Sequence, residues 1–358
     1  MSKQIDLCST RNLSFAAKKQ IIQSLGKQGN GDACRLLVEF LSDSDTTIQE
    51  LAASTLIRIN TSEVTVSLLP LLHKSDAQIQ NMVMEIIAEI AYDHISLLIP
   101  LLQDSHEPIR ARIADLLGLI GNPEAGEALI ASLRDPSPRV RSGALASLGK
   151  LKSEDGIGAI ERLLQTEEES WVIFSGIKSL EQIGGKKAIQ ILLELLKQDD
   201  EFILAACVES LGEIGSTQII SSMLRNIAHP SDSIIERMST AFISILHRHG
   251  FFSPSKPAAH LSKQARADLI SFFSLCVRIA INQGTRLRAI ELLGKLKARE
   301  SLDILSRIAQ NGPSIFQAAA IQSLQHIGGN TARVLLLQLS PPWVQMAAGQ
   351  QFSSHSEN

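Results

Sequence analysis

The amino-acid sequence predicts an all-α, right-handed α-solenoid of about ten helical-hairpin repeats, and three observations lead to this prediction. Within the stretch Arg139–Lys152, the apolar residues Val140, Ala144, Leu148 and Leu151 follow helical spacing and form one stripe. The position of Leu148 recurs along the chain at intervals of 30 to 32 residues, with a single interval of 51. The recurring positions are Leu25, Leu56, Ile87, Leu117, Leu148, Leu180, Leu211, Phe242, Leu293 and Leu324. Turn residues separate the helices, and such a period is typical of a repeat solenoid.

Each recurring helix, called the B helix below, is followed by a second short helix, the A helix. Residues that end helices follow several B helices, among them Gly29, Gly121, Gly184 and Gly215. The predicted A helices are Asp32–Leu41, Val64–His73, Ile95–Gln103, Glu124–Leu133, Gly156–Gln165 and Lys187–Lys197. The sequence therefore predicts two-helix units stacked in chain order, with the B helices on one face and the A helices on the other.

The repeat pattern also sets the expected domain boundaries. We expect a flexible N-terminus over residues 1–12, the solenoid over residues 13–340, and a cap with a disordered tail over residues 341–358. The long interval contains an insertion at residues 247–265, in which Gly250, Pro254 and Pro257 disfavour helix. We expect this insertion to be a mobile loop.

Composition argues against several classes of function. The formal net charge is −3 and only 4% of residues are aromatic, which disfavours nucleic-acid binding. There is no apolar run near 18 residues, so no membrane span is expected. The start does not read as a signal peptide, and the four cysteines show no paired spacing. A cytoplasmic protein with free thiols is the expectation.

The turn before the central B helix carries a resemblance to a known repeat class. The pattern D-P-x-x-x-V-R ending in L-G resembles the HEAT-like repeats of the phycobilisome-lyase class, through Asp135, Pro136, Val140, Arg141 and the pair Leu148–Gly149. In that class the turn Asp commonly bonds the Arg of a neighbouring unit, which forms a ladder. Here the Arg column reads Lys18, Gln49, Gln80, Arg110, Arg141, Ile173, Leu204, Ile235, Arg286 and Gln317. A regular ladder is therefore not expected along the whole chain.

The sequence contains no G-x-S-x-G, H-E-x-x-H or C-x-x-C motif, and no cofactor is expected. Deoxyhypusine hydroxylase is similar in repeat type and holds two irons through His–Glu pairs, whereas the only such pair here is His106–Glu107. The histidines His247, His249 and His260 have some metal-ligand character, but an exposed polar loop is the favoured interpretation. Enzymatic activity is therefore not expected.

A partner-binding site is predicted on the B helices of the sixth and seventh repeats. There the residues directly before and directly after the position of Val140 become apolar. The residues are Trp171, Ile173, Phe174, Phe202 and Leu204, with Arg139 and Arg141 beside them. Trp, Phe and Arg are typical of binding hot spots, and an apolar strip bordered by guanidinium groups suits an amphipathic helix with an acidic flank. The alternative, left open here, is that these residues are core between repeats.

The sequence thus favours a non-catalytic scaffold or adaptor that binds another protein along its B-helix face. The alternative is a bilin lyase-type or chaperone-like protein acting on a tetrapyrrole or its carrier protein, which the resemblance implies. Neither a nucleic acid nor a membrane is expected as a partner.

Overall fold

The computed structural model describes residues 13–74, 76–252, 261–279 and 282–339. Within these ranges every regular element is an α-helix or a 3-10 helix, which confirms the predicted all-α fold. The helices are hairpins in consecutive contact, as in an α-solenoid. They form two compact units, Met1–Gly184 and Gly185–Asn358, which are described separately as unit 1 and unit 2.

The described residues of unit 1 form five hairpins and a final B helix. Its α-helices are α1 (Phe15–Gln28), α2 (Gly31–Glu39), α3 (Thr46–Ile59), α4 (Ser62–Leu68), α5 (Ala77–Ile90), α6 (Glu107–Ile120), α7 (Gly126–Ser132), α8 (Pro138–Lys150), α9 (Ile157–Leu164) and α10 (Ser170–Ile183). Its 3-10 helices are Phe40–Ser42, Leu69–His73, Ala91–Leu97, Ile99–Gln103, Pro123–Ala125 and Glu154–Gly156. The B helices are α1, α3, α5, α6, α8 and α10.

Unit 2 opens on an A helix and continues with four hairpins. Its α-helices are α11 (Gly185–Leu195), α12 (Glu201–Ile214), α13 (Ile220–Asn226), α14 (Asp232–Arg248), α15 (Lys263–Ile279), α16 (Gln283–Lys295), α17 (Leu302–Asn311), α18 (Ser314–Ile327) and α19 (Gly329–Gln338). Its 3-10 helices are Thr217–Ile219 and Arg299–Ser301.

Local chemistry explains where the B helices begin. The side chain of Asp76 accepts hydrogen bonds from the backbone N–H groups of Gln78 and Ile79, and Ser137 caps α8 in the same way at Arg139. Each cap satisfies backbone donors that have no partner within the helix. The turn residues Asp76 and Ser137 therefore fix where α5 and α8 begin.

The third predicted A helix differs from its neighbours. Residues Ala91–Leu97 and Ile99–Gln103 form 3-10 helices, although the sequence pattern predicted an ordinary helix over Ile95–Gln103. Pro100 lacks a backbone N–H, and His94 has non-helical backbone angles. These two features favour the tighter, interrupted conformation.

Neighbouring B helices approach closely at a glycine that follows the recurring leucine. A Cβ placed on Gly118 of α6 would lie 2.8 Å from the Cα of Ser147 in α8, and one on Gly149 would lie 3.0 Å from the Cα of Ser179. The Ser147 hydroxyl, fully buried, donates to the backbone oxygen of Ala114 at 2.7 Å. The same Gly–Ser contact recurs in unit 2 between Gly294 and Ser323. Small residues in these columns set the spacing of the B helices.

The ends of the chain and part of the insertion lie outside the described residues. These are the predicted flexible N-terminus (1–12), residues 253–260 of the insertion at 247–265, and the predicted tail at 341–358. The described part of the insertion covers the last residues of α14, a turn at Gly250, and the first residues of α15.

Candidate partner-binding face and inter-repeat ladder

The first turns of α10 place two aromatic side chains in solvent. Trp171 is 45% exposed and Phe174 is 37% exposed, while Val172 and Ile177 between and beyond them are fully buried. Residues three and four apart share one face of a helix, so Trp171, Phe174 and half-buried Lys178 form one outward-facing stripe. We call this stripe the α10 face.

Helix α8 borders the α10 face with polar and basic side chains. The hydroxyls of Ser142 and Ser175 are 2.7 Å apart, and Ser175 donates to the backbone oxygen of Trp171 at 3.0 Å. This chain of hydrogen bonds fixes the first turns of α8 against those of α10. Arg139, exposed one turn before Ser142, therefore lies on the same side of unit 1 as Trp171.

Charges of both signs lie beside the α10 face. Glu168 and Glu169 are exposed just before Trp171, and Arg139 is exposed on the α8 side. On α10 itself, Lys178 pairs with Glu181. Lys150 comes eleven residues after Arg139, about 16 Å further along α8, so only Arg139 lies beside the first turns of α10. In α6, burial raises the pKa of Asp115, and Lys150 and Arg139 only partly oppose this effect.

Arg141 lies in a different environment from Arg139. Its guanidinium makes two hydrogen bonds of 2.7 Å to the carboxylate of Glu167, and it also donates to the backbone oxygens of Asp135 and Pro136. The side chains of Arg141 and Glu167 are only 16% and 3% exposed. Arg141 is therefore a structural link between consecutive repeats, and its donors are directed into the protein.

Two other pairs repeat this link in unit 1. Arg110 makes hydrogen bonds of 2.7 and 2.9 Å to both oxygens of Asp135, and Lys18 lies 2.7 Å from a carboxylate oxygen of Asp43. The pairs join residues 25 or 26 positions apart, from the start of one B helix to the turn before the next. We call these three pairs the ladder. As expected from the sequence, it does not run through every repeat.

In the three repeats that follow Arg141, apolar residues occupy the position that Arg110 and Arg141 hold in the ladder. Ile173 in unit 1 is 8% exposed, and in unit 2 Leu204 is 7% and Ile235 is 5% exposed. In unit 2 the column also contains Arg286, whose guanidinium lies 5.2 Å from the centre of the Phe316 ring. The column therefore points inward in both units, whether it carries an ion pair, an aliphatic side chain or a cation over an aromatic ring.

The structure accordingly separates the seven residues predicted to bind a partner. Trp171, Phe174 and Arg139 are exposed in unit 1, and Phe202 is 52% exposed in unit 2. Ile173 and Leu204 are buried, and Arg141 belongs to the ladder. The prediction that both columns face outward is therefore corrected. The residues before the buried Val172 and Ile203 face outward, and the residues after them face inward, because the two columns lie on opposite sides of that buried position.

The ladder carboxyls have lowered pKa values. Burial acts to raise the pKa of Asp135, but hydrogen bonds from the Arg110 guanidinium and the Ser137 N–H outweigh it and the pKa is lowered. The pKa of Glu167 is lowered in the same way, against the effect of burial, by Arg141. These groups are ionised at neutral pH and bind protons only in stronger acid than a free carboxyl.

We predict that this arrangement makes unit 1 acid-sensitive. A carboxyl whose pKa is lowered by folding contributes stability above its unfolded-state pKa of about 4, and the contribution disappears as the pH falls through the folded-state value. Denaturant unfolding between pH 7 and pH 2.5 should show stability falling below about pH 4. An Asp135→Asn variant should be less stable at pH 7 and show a weaker fall. An equally steep fall in the variant would contradict the role of Asp135.

A second cluster of polar side chains was not recognised from the sequence. His73 ends the 3-10 helix Leu69–His73, Asp104 follows the 3-10 helix Ile99–Gln103, and His106 directly precedes α6. Their donor atoms lie within 4.8 Å of one another. His73 stands 31 residues before Asp104, which is one repeat. Because the turns repeat with this period, the spacing is the signal in the sequence that His73 and Asp104 lie close together in neighbouring repeats.

The histidine loop considered from the sequence is only partly described. His247 and His249 are exposed at the end of α14, and His260 lies outside the described residues. Among the described residues, the one group of His, Cys, Asp and Glu side chains close enough to share a metal ion is the cluster at His73, and it does not include His247 or His249. Glu107, of the pair His106–Glu107, accepts a hydrogen bond from the Ser137 hydroxyl at 3.0 Å.

None of the described helices is both long and apolar enough to cross a membrane. Cys207 of α12 is fully buried, and burial raises the pKa of its thiol. Cys207 is therefore a packing residue.

Comparison with known proteins identifies the repeats. The sequence profile described as HEAT repeats matches residues 9–88, 95–181 and 175–241. The search of curated proteins gave no match.

The search of solved structures gave matches that include the following three. An engineered protein is 17% identical, with a TM-score of 0.44, over 92% of this chain and 97% of its own. Human deoxyhypusine hydroxylase in complex with glycerol is 16% identical, with a TM-score of 0.29, over 87% of this chain and 97% of its own. The karyopherin Kap121p, bound to the extreme C-terminus of the protein phosphatase Cdc14p, is 14% identical, with a TM-score of 0.42, over 92% of this chain and 46% of its own.

Proposed function

Because the chain belongs to the family of HEAT-repeat proteins, we propose that it is a non-catalytic scaffold that binds another protein through the α10 face. The observation that carries the proposal is the exposure of Trp171 and Phe174, at 45% and 37%, on consecutive turns of one B helix. Large aromatic side chains in solvent lose hydrophobic free energy that a partner restores, and Trp is among the residues most enriched in binding hot spots.

The proposed ligand is an amphipathic helix with acidic residues on one flank. Trp171 and Phe174 offer an apolar contact of about one helical turn in length, since they are three residues apart. Arg139 lies to one side, at the start of α8, while Glu168 and Glu169 are exposed just before Trp171. An acidic flank of the ligand placed against Arg139 would complement its charge, and such charges raise association rate and specificity. Phe202 is an exposed aromatic residue of unit 2 and is a separate candidate contact.

The resemblance to phycobilisome-lyase repeats supports the fold rather than a tetrapyrrole substrate. The residues that carry it have structural roles in this chain: Asp135 and Arg141 form ladder pairs, and Gly149 lies against Ser179. Lyase-type or chaperone activity on a tetrapyrrole remains the alternative function. Adding bilin or haem to the purified protein tests it, because binding would shift the absorption spectrum of the pigment.

Substitution of the two aromatic residues tests the scaffold proposal. We expect the Trp171→Ser/Phe174→Ser variant to bind a helical ligand at least 30-fold more weakly, since losing about 2 kcal/mol of binding free energy corresponds to that factor. Its melting temperature should stay within a few degrees of the parent, because both side chains are exposed. Ligands are selected from a displayed library of amphipathic helices, and affinities are measured by fluorescence anisotropy.

The matched control is Val66→Ser/Tyr92→Ser. It removes two apolar side chains that are 52% and 51% exposed elsewhere in unit 1, and it should leave binding unchanged. Selected ligands should carry acidic residues, and Arg139→Glu should reduce their affinity and its dependence on salt. Equal binding by the parent and the Trp171→Ser/Phe174→Ser variant would disprove the assignment. A large fall in melting temperature would instead show that Trp171 and Phe174 are structural.

A further inference from the structure

The donor atoms of His73, Asp104 and His106 lie close enough together to share a metal ion. Nε2 of His73 lies 3.1 Å from Oδ2 of Asp104, and Nδ1 of His106 lies 3.2 Å from Oδ1 of the same carboxylate. In a tetrahedral zinc site with bonds of about 2.0–2.1 Å, neighbouring ligand atoms are separated by about 3.4 Å. The observed separations run to different oxygens of Asp104 and are hydrogen-bond distances, so a bound ion would replace these two hydrogen bonds with bonds to itself.

The two imidazoles converge on the carboxylate from different turns. Their ring centres are 5.7 Å apart and their planes are nearly perpendicular, at 89°. The rings are therefore not stacked on each other, and both direct a nitrogen toward Asp104. His73 and His106 are 42% and 68% exposed, whereas Asp104 is 14% exposed. An ion bound here would be held by the protein on one side and would keep a solvent position on the other.

Hydrogen bonds hold the carboxylate in place before any ion binds. Oδ1 of Asp104 accepts from the backbone N–H of His106 at 2.8 Å. The backbone oxygen of Asp104 accepts from Nη1 of Arg110 at 2.9 Å, and Arg110 is itself fixed by Asp135 in the ladder. A loop fixed in this way loses little conformational entropy when its side chains become ligands.

The cluster lies at a turn where the ladder has no ion pair, because the ladder position in α5 is Gln80. In α5 the ladder column holds Gln80, whose amide donates to the backbone oxygen of Leu72 at 2.9 Å and to that of Lys74. Gln80 therefore supplies no charge to the turn at Asp104, and His73 is the group that faces this carboxylate from the preceding repeat. A cation at this point would connect consecutive repeats of unit 1 as Arg110 and Arg141 do further along.

We propose that His73, Asp104 and His106 bind a divalent transition-metal ion of the Zn²⁺ type. Two imidazole nitrogens with one carboxylate are a ligand set that Zn²⁺ and its neighbours in the first transition series accept, with solvent in the remaining position. The site is independent of the α10 face and of the proposed scaffold function. The ion crosslinks two successive inter-repeat turns and stabilises unit 1.

The test is metal titration of the full chain without an affinity tag. Protein freed of metal by chelation is titrated with Zn²⁺ by calorimetry and with Co²⁺ by visible absorption, whose intensity reports tetrahedral coordination. We expect one ion per chain, a higher melting temperature with Zn²⁺, and affinity at least tenfold weaker in His73→Ala and in His106→Ala. Asp104→Asn, which retains the backbone contacts, should weaken binding similarly.

A control variant distinguishes this site from other histidines. His247→Ala/His249→Ala/His260→Ala removes the alternative histidine group and should bind Zn²⁺ like the parent. Binding that disappears in this variant, or that persists unchanged in a His73→Ala/His106→Ala double variant, would overturn the proposal. So would parent protein that shows no saturable binding. Because His73 and His106 are exposed, circular dichroism should show all variants folded.

Discussion

Replacing Arg141 with Met is expected to lower the free energy of unfolding by about 3 kcal/mol at pH 7, the cost of leaving a buried charge without its partner. The carboxylate of Glu167 is 3% exposed and receives two hydrogen bonds of 2.7 Å from the guanidinium. Methionine keeps most of the aliphatic contact of Arg141 but supplies neither charge nor donor. Urea denaturation followed by circular dichroism measures the loss.

The destabilisation by Arg141→Met should depend on pH in a defined direction. In the parent, hydrogen bonds from Arg141 keep the pKa of Glu167 low in spite of burial. Without the guanidinium, burial is left to raise that pKa, and protonation then removes the buried charge. The stability difference between parent and variant should therefore shrink as the pH is lowered from 7 toward 4. A difference that stays constant over this range would show that Glu167 is not the cause.

Arg139→Met is the matched control for this prediction. It makes the same chemical change two residues earlier in α8, at an exposed side chain, and should alter the free energy of unfolding by less than about 0.5 kcal/mol. The variant Arg141→Leu/Glu167→Leu removes both charges together. It should be more stable than Arg141→Met, because an apolar pair in place of a buried ion pair is often neutral or stabilising.

The double variant imitates a change that the chain itself makes. The column of Arg141 continues as Ile173 in unit 1 and as Leu204 and Ile235 in unit 2, and each is less than 9% exposed. Ion pairs and aliphatic packing are thus two ways to fill one inter-repeat position. From the sequence, the loss of Arg at this column and the gain of apolar residues looked like a surface acquired for binding. Only the direction of the column, inward rather than outward, distinguishes the two interpretations.

The parts of the fold that follow from periodicity were predictable. The spacing of Leu148 and its equivalents, together with glycines at helix ends, predicted helical hairpins in their observed order. The burial of the position that Arg141 and Ile173 occupy was harder to predict. This position directly follows the buried Val140 or Val172 and lies at the edge of the buried stripe. There, whether a side chain is covered depends on the turn of the next repeat, such as Glu167 for Arg141.

The ladder partners and the metal cluster show why side-chain contacts escaped the sequence. Glu167 comes 26 residues after Arg141, while Asp135 comes 25 after Arg110, because one extra residue precedes α10. Counted back from the following B helix, Glu167 stands five residues before Val172, just as Asp135 stands five residues before Val140, so this turn position holds Glu in place of Asp. His73 likewise belongs to the end of an A helix, a column that was not compared between repeats. Both signals are present in the sequence, but only a register for the turns as well as the helices reveals them.

The close contact between B helices leads to the second large effect, at Gly118. We expect Gly118→Val to lower the free energy of unfolding by about 3 kcal/mol, at the upper end of the cost of overpacking. Even the Cβ would lie 2.8 Å from the Cα of Ser147, and a backbone atom of a packed helix moves only if α6 and α8 separate. Helix propensity cannot explain such a loss, because Val is a better helix former than Gly.

Leu119→Val, at the adjacent residue, is the control and should change little, since Leu119 is 62% exposed. Thermal and urea unfolding compare the variants. If Gly118→Val were as stable as the parent, the glycine column would not set the spacing of the repeats, and the buried hydrogen bond from Ser147 to Ala114 would be expected to remain intact.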